Sequence, residues 1–117
     1  MHKKRFDDVF RAMADLFKIL AHSDRLRLIG LISEKEMDVM HLCSALGISQ
    51  SSVSQHLKLL KIHSLVKEKR VGKRVFYKLA SNPLKRIIVD AIEVHTRDLD
   101  NDVKSASLFK EMKNLWS

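Results

Sequence analysis

Residues 49–60 carry short polar side chains between regularly spaced apolar ones. If this segment is a helix, Val53, Leu57 and Leu60 lie on one side of it and face a core. The opposite side then carries serine, glutamine and lysine, which suit a DNA major groove because they can bond base edges and phosphates. The DNA contacts predicted from this segment are Gln50, Ser51, Ser52, Ser54, Gln55, His56 and Lys58.

A cluster of basic residues follows this polar segment. Its members are Lys69, Arg70, Lys73 and Arg74, with Lys67 and Lys78 nearby. Cations at the tip of a hairpin beside a DNA-reading helix are placed to lie along phosphates or in the minor groove, and such contacts position a protein without reading sequence. We predict phosphate contacts for Lys69, Arg70, Lys73 and Arg74.

A solvated surface is the alternative interpretation for both groups. Solvated helix faces commonly pair glutamate with lysine one turn away. Here no acidic residue occurs between Ser49 and Lys67. The absence of acids favours the DNA interpretation.

The net charge of the chain is concentrated in the same region. The 117 residues include 22 Lys and Arg and 14 Asp and Glu, a net charge of +8. Residues 49–79 hold eight basic residues and one acidic residue, a net charge of +7, so the flanking segments are close to neutral. A uniform excess would indicate little beyond solubility, whereas a concentrated one is typical of a face that binds a polyanion.

Nucleophilic catalysis finds no support in the arrangement of Cys43 and His41. Cys43 is the single cysteine of the chain. Residues two apart on a helix point in different directions, so these two cannot act as nucleophile and base. Cys43 falls in an apolar stripe, which predicts a buried structural thiol. A lone cysteine also excludes an intrachain disulfide and fits a reducing cytoplasm.

Apolar spacing and capping residues predict four helices before the basic cluster. The first helix spans Phe6 to Leu20, and Ser23 and Asp24 offer N-cap chemistry for the second. Asp38 caps the third helix and Gly47 ends it. The fourth helix spans Gln50 to His63, with Ser49 as its cap. Helices three and four are separated only by residues 47–49, as in a helix-turn-helix.

Two strand-like runs, residues 65–70 and 74–79, flank Gly72 and predict a hairpin. Asn82-Pro83 predicts the start of a fifth helix, because proline at a first helical position lacks only an N–H that has no partner there. Aspartates around Asn101 predict a break, after which a further apolar face comprises Leu108, Met112, Leu115 and Trp116.

A helix-turn-helix followed at once by a basic hairpin predicts a winged helix-turn-helix. The fold class is mainly α with a small β-hairpin, in the order α-α-α-α-β-β-α with a further α beyond the break. Residues 1–117 are interpreted as a single domain.

Three stretches, residues 17–29, 46–60 and 65–79, resemble the ArsR/SmtB family of bacterial winged-helix repressors. The resemblance spans about residues 15–80. The sequence departs from the family at His22-Ser23, where Asp-Pro is common. It also departs at His63-Ser64, where Ala-Gly often ends the fourth helix, which is the recognition helix that contacts DNA bases in this family. Both departures fall at helix ends and leave the DNA-facing residues unchanged.

The resemblance implies a homodimer that binds an imperfect palindrome, with the first helix and the helix after the wing at the interface. The residues assigned to that interface are Phe10, Met13, Phe17, Leu84, Ile87, Ile88, Ala91, Ile92 and His95. His95 continues an otherwise apolar stripe, where it either approaches its symmetry mate or Asp98, or is a histidine satisfied within the interface.

Members of the ArsR/SmtB family often release DNA when they bind a metal or when their cysteine thiols react. The position of the family's thiolate pair corresponds here to residues 36–40, which contain no cysteine. The family's carboxylate and histidine ligands after the wing align with Ser81, Pro83, Val94 and Arg97. We therefore predict no metal site of the family type and no cofactor, and the sequence names no effector.

Together these observations predict a cytoplasmic, homodimeric regulator that binds double-stranded DNA in a sequence-specific manner, as a repressor and not as an enzyme. No apolar run approaches the roughly 18 residues of a membrane helix. Two alternatives remain open. One is a metal-responsive repressor with ligands outside the family positions, and the other is a winged-helix module that binds another protein, for example through the Trp116 segment.

Overall fold

The structure of the protein is a computed structural model that describes residues 2–97. Within those residues the elements are α1 (His2–Leu20), α2 (Ser23–Glu34), α3 (Val39–Leu46), α4 (Gln50–Ile62), β1 (Val66–Val71), β2 (Arg74–Leu79) and α5 (Asn82–Arg97). This order confirms the predicted fold class. The break predicted near Asn101 and the apolar face of Leu108, Met112, Leu115 and Trp116 lie outside the described residues.

A single apolar core joins the end of α1 with α2, α3, α4, β1 and α5. Its fully buried side chains include Leu28 from α2 and Leu42 from α3. The predicted core side of α4 is confirmed, because Val53, Leu57 and Leu60 are at most 2% exposed. None of the described helices has the length and apolar character needed to cross a membrane.

Three of the predicted helix caps are confirmed. The carboxylate of Asp38 accepts the backbone N–H of His41 at 2.9 Å and begins α3. Gly47 ends α3 with φ of 68°, a left-handed conformation that glycine adopts without steric penalty. Ser49 begins α4 by accepting the backbone N–H of Ser52 at 3.1 Å. The helix-turn-helix is thus fixed by local hydrogen bonds at its turn.

The predicted cap of α2 is wrong. Ser23 and Asp24 already lie inside the helix, and His22 is the N-cap. Its ring nitrogen Nδ1 accepts the backbone N–H of Asp24 at 3.2 Å. An unprotonated imidazole nitrogen is an acceptor, so it can replace the side-chain oxygen that usually fills this position.

The end of α4 is a Schellman motif closed by a serine. Leu65 donates its N–H to the carbonyl of Leu60, and Ser64 donates to that of Lys61, both at 2.9 Å. This motif requires a left-handed residue, and Ser64 has φ of 59°. The departure from the family's Ala-Gly at this position therefore places a Cβ where glycine is preferred.

Replacing Ser64 with glycine is expected to raise the free energy of unfolding by about 0.5–1 kcal/mol. A left-handed non-glycine residue costs roughly 1–2 kcal/mol, of which part is offset by the greater freedom of glycine in the unfolded chain. Urea unfolding at one fixed protein concentration measures the change. Ser64→Ala is the matched control, because it removes the hydroxyl and keeps the Cβ. Equal stabilisation by both variants would contradict backbone strain as the cause.

Candidate nucleic-acid interface

The exposed side of α4 presents the residues that the sequence predicts for base contacts. Gln50, Ser51, Ser54, Gln55 and Lys58 are exposed. They lie opposite the buried residues of the same helix, as the helical wheel predicts. The geometry thus brings five of the seven predicted α4 contacts onto one accessible surface.

The serines at the start of α4 are already engaged in its cap. Ser49 Oγ lies 2.9 Å from Ser52 Oγ and 3.2 Å from Ser51 Oγ. Ser52 is also half-buried. Among the described residues, nothing hydrogen-bonds to the side chains of Ser54 and Gln55, so their donors and acceptors remain free for a ligand.

His56 occupies the flank of α4 that faces the start of α2. Its ring is half-buried, with its centroid 4.7 Å from that of His22. Burial lowers the pKa of His56, the electrostatic effects of His22 and Arg25 act in the same direction, and that of Asp24 opposes them. The neutral form of the imidazole is therefore favoured. The structure turns this predicted DNA contact toward α2.

The wing is an antiparallel hairpin, as predicted. Its two-residue turn contains Gly72 with φ of 62°, a backbone conformation that glycine supplies. Met37, from the connection between α2 and α3, extends the sheet by exchanging two backbone hydrogen bonds with Tyr77, at 2.8 and 3.3 Å. The wing is consequently anchored to the helix-turn-helix by backbone as well as by side chains.

Ion pairs hold two of the wing cations. Arg74 lies 2.6 Å from a carboxylate oxygen of Asp38, and Lys69 lies 3.3 Å from Glu36. The hydrogen bond from Arg74, followed by those from His41, holds the pKa of Asp38 well below its usual range. Such exposed pairs contribute about 1 kcal/mol or less each, so their main effect is on where the wing points. Both acids precede α3 in the chain, and the sequence analysis did not connect them with the wing.

Arg70 and Lys73 have a different environment from Lys69 and Arg74. Both are exposed, and within residues 2–97 neither is paired with a carboxylate. On the neighbouring strands Lys67 and Lys78 lie directly opposite each other. Like charges in this position repel, so an anion bound near them would relieve the repulsion. The wing therefore offers uncompensated positive charge beside α4.

A second surface of the chain is apolar and lies on α1. Only the last turns of this helix, from Leu16 onward, pack against the core. The side chains of Phe10, Met13 and Phe17, all predicted for the dimer interface, are 51%, 42% and 50% exposed. Phe6 and Val9 continue the same apolar face, at 62% and 57%. Among residues 2–97, no side chain covers this face.

The predicted interface on α5 needs correction at two positions. Leu84 and Ile88 are only 4% exposed and belong to the core of the single chain, so they have almost no surface to give to a partner. Their stripe turns inward because α5 packs against α2 and the wing. The other predicted residues of α5 are accessible: Ile87 and Ile92 are half-buried, and Ala91 and His95 are exposed.

Cys43 is partly buried against the core, which agrees with a structural thiol.

The structure also assembles a group of potential metal ligands that the sequence pattern does not reveal. One ligand atom from each of His22, Asp24 and His56 lies within 4.8 Å of the others. The histidines are 34 residues apart in the chain, so no spacing motif reveals the group.

Comparison with known proteins places this geometry in a family. The sequence pattern of the bacterial regulatory protein, arsR family, matches residues 22–68. A transcriptional repressor SmtB homolog of Synechocystis is 41% identical over 75 residues, which cover 64% of this chain and 57% of that protein. The chain spans less than two thirds of the length of several such curated relatives.

Two relatives match over more of their length. The uncharacterized HTH-type transcriptional regulator Rv0081 of Mycobacterium tuberculosis is 30% identical over 98 residues, covering 83% of this chain and 86% of that protein. Its crystal structure superposes with a TM-score of 0.74 over 81% of this chain and 96% of that chain.

The second is Mb0332 from Mycobacterium bovis, described as a homodimeric winged helix-turn-helix DNA-binding domain. It superposes with a TM-score of 0.75 at 26% identity, over 85% of this chain and 92% of that one. The agreement thus includes the sequence of residues 22–68 and the overall fold. This chain belongs to the arsR family of bacterial regulatory proteins.

Proposed function

We propose that the chain is a homodimeric, sequence-specific DNA-binding transcriptional regulator that represses from an imperfect palindrome. The observation that carries the proposal is the exposed, acid-free side of α4 next to Arg70 and Lys73, which are unpaired within the part of the chain that the structure describes. A helix of this kind fits the major groove, while a basic hairpin beside it fits the flanking phosphates.

The proposed roles divide by the chemistry of each side chain. Gln55 offers the amide geometry that pairs with adenine, and Ser54 and Lys58 extend the same row along α4. Arg70 and Lys73, which have no carboxylate partner within residues 2–97, bind phosphates directly. Lys69 and Arg74 can do so only by leaving Glu36 and Asp38.

The proposed dimer joins the apolar face of α1 with the accessible side of α5. A contiguous exposed apolar face such as that of α1 is typical of an interaction site. A two-fold axis would pair this face with itself and present two copies of α4 to half-sites about one helical turn apart. The homodimeric description of the Mb0332 domain supports this arrangement.

The remaining parts of the proposal concern the chain as a whole. We propose that residues 1–117 act as one domain in the cytoplasm, with DNA as the partner and without catalytic activity or a cofactor of the family type. The regulatory family and the half-buried lone Cys43 support this view.

Gln55→Ala is expected to reduce the preference for the selected DNA sequence by about 5- to 150-fold for each half-site, which corresponds to the roughly 1–3 kcal/mol of one bidentate base contact. Affinity for random duplex should change little. The preferred sequence is first obtained by selection from a random pool, and affinities for that sequence and a scrambled one are then measured at one salt concentration.

Lys73→Ala is the matched comparison, since losing a phosphate contact should weaken both duplexes equally. If Gln55→Ala also weakens both equally, then Gln55 does not read bases. If the wild-type chain binds no duplex even at low salt, the proposal fails and the protein-interaction alternative is favoured.

A further inference from the structure

Three side chains with metal-binding chemistry meet between α2 and α4. His22 and Asp24 flank the first residue of α2, and His56 projects from the middle of α4. One ligand atom from each lies within 4.8 Å of the others. The family positions for metal ligands, in residues 36–40 and on α5, are elsewhere in the chain.

The donor set is appropriate for a divalent transition metal. Two imidazoles and one carboxylate are the ligands that zinc commonly takes, with water in a fourth position. Tetrahedral bonds of about 2.0–2.1 Å place ligand atoms roughly 3.3–3.5 Å apart. The three groups therefore need to approach by up to about 1.5 Å, which side-chain rotation at a protein surface can supply.

We propose that His22, Asp24 and His56 form a binding site for one divalent transition-metal ion of the zinc type. The ion would join the first turn of α2 to the flank of the recognition helix. The site goes beyond the proposed DNA-binding function and does not depend on it, because metal binding can be measured without DNA.

The free state of the site shows what the ion must replace. A neutral imidazole has one lone pair, and that of His22 accepts the backbone N–H of Asp24 at 3.2 Å. Coordination by His22 therefore exchanges this cap for a metal bond and returns one N–H to water. The loss of a cap costs about 1 kcal/mol, far less than zinc binding by three protein ligands provides.

The other two ligands are accessible to an ion. The contact between Asp24 and Arg27 is long, at 3.4 Å, and one carboxylate oxygen takes no part in it. His56 is half-buried, so part of its ring remains exposed to solvent. The nearby cation, Arg25, has its Nε bonded to the carbonyl of Ile19 at 2.7 Å, so it remains held at the end of α1.

Titration of the full chain with Co²⁺ tests the site, because tetrahedral Co²⁺ absorbs visible light. We expect one ion per chain, with absorption that Zn²⁺ abolishes by displacement. His56→Gln and His22→Asn should each weaken Co²⁺ binding by about 100-fold or more, since loss of a ligand exceeds the 10–100-fold effect of losing an outer-shell partner. Asparagine at residue 22 retains N-cap chemistry, so that variant keeps α2 capped.

His41→Gln is the matched control. His41 also lies beside a carboxylate, 2.5 Å from Asp38, but no third ligand group joins that pair within the described residues. Its removal should leave Co²⁺ affinity unchanged. Circular dichroism without metal checks that every variant is folded. The proposal is overturned if the wild-type chain gives no tetrahedral spectrum, or if folded His56→Gln and His22→Asn bind Co²⁺ as tightly as the wild type.

Discussion

DNA binding by the wild-type chain is expected to weaken by about 10³–10⁵-fold between 50 and 200 mM salt, if the dimer contacts roughly six to ten phosphates. The physical reason is counterion release: each phosphate neutralised by lysine or arginine frees a condensed cation, and salt opposes that release. The concentration of positive charge in residues 49–79 and the exposure of Arg70 and Lys73 make the effect large. Fluorescence anisotropy with a labelled duplex measures it.

Single substitutions assign the slope to residues. Lys73→Ala and Arg70→Ala should each reduce the slope of log affinity against log salt by about 1.8, because one phosphate contributes about 0.9 and a homodimer carries the change twice. Lys69→Ala should reduce it less, since Lys69 is held by Glu36. Lys18→Ala, which removes a cation from α1, is the control and should leave the slope unchanged. Affinity that does not vary with salt would refute the phosphate-binding surface.

Phe10→Asp is expected to convert the dimer into a monomer, raising the dimer dissociation constant by about 10²–10⁴-fold. Burial of one phenylalanine contributes roughly 1.5–3 kcal/mol, and a two-fold interface contains both copies of the substitution. Phe10 is 51% exposed in the single chain, and its ring meets that of Phe6 edge-on with the ring centroids 4.6 Å apart. The substitution should therefore spare the core. Sedimentation over a range of protein concentrations measures the constant.

Loss of the dimer should also lower affinity for a palindromic site, because each half-site is then bound without the other. Met40→Asp is the matched control for oligomeric state. It places the same charge at another exposed apolar residue, 62% exposed on α3, away from α1. A Phe10→Asp chain that remains dimeric at low concentration would show that α1 does not form the interface. Circular dichroism separates dissociation from unfolding.

The sequence by itself determined the elements whose signals are local. Asp38, Gly47 and Ser49 define the ends of α3 and the start of α4 through bonds to residues at most four positions away. The spacing of Val53, Leu57 and Leu60 fixed the buried side of α4, and therefore the exposed side as well. Gly72 fixed the turn of the wing. Each of these depends on backbone geometry over one or two turns of chain, which amino-acid type controls directly.

Periodicity alone could not predict which apolar residues of α5 face the core of the chain and which face a partner. It identified Leu84 and Ile88 as one apolar stripe with Ile92, but whether such residues face the core or a partner depends on how α5 packs. Likewise His22 caps α2 because its ring nitrogen accepts the backbone N–H of Asp24. The usual N-cap preferences favour Ser and Asp and do not predict a histidine at this position.

Only the tertiary structure decided which charged and ligating groups meet. Asp38 and Arg74 are 36 residues apart, yet their pairing separates the cations held by the protein from those free to bind phosphate. The group formed by His22, Asp24 and His56 likewise exists because the fold brings the start of α2 close to the middle of α4. Local propensity carries no information about such encounters, since they are set by how the apolar faces of distant segments combine into one core.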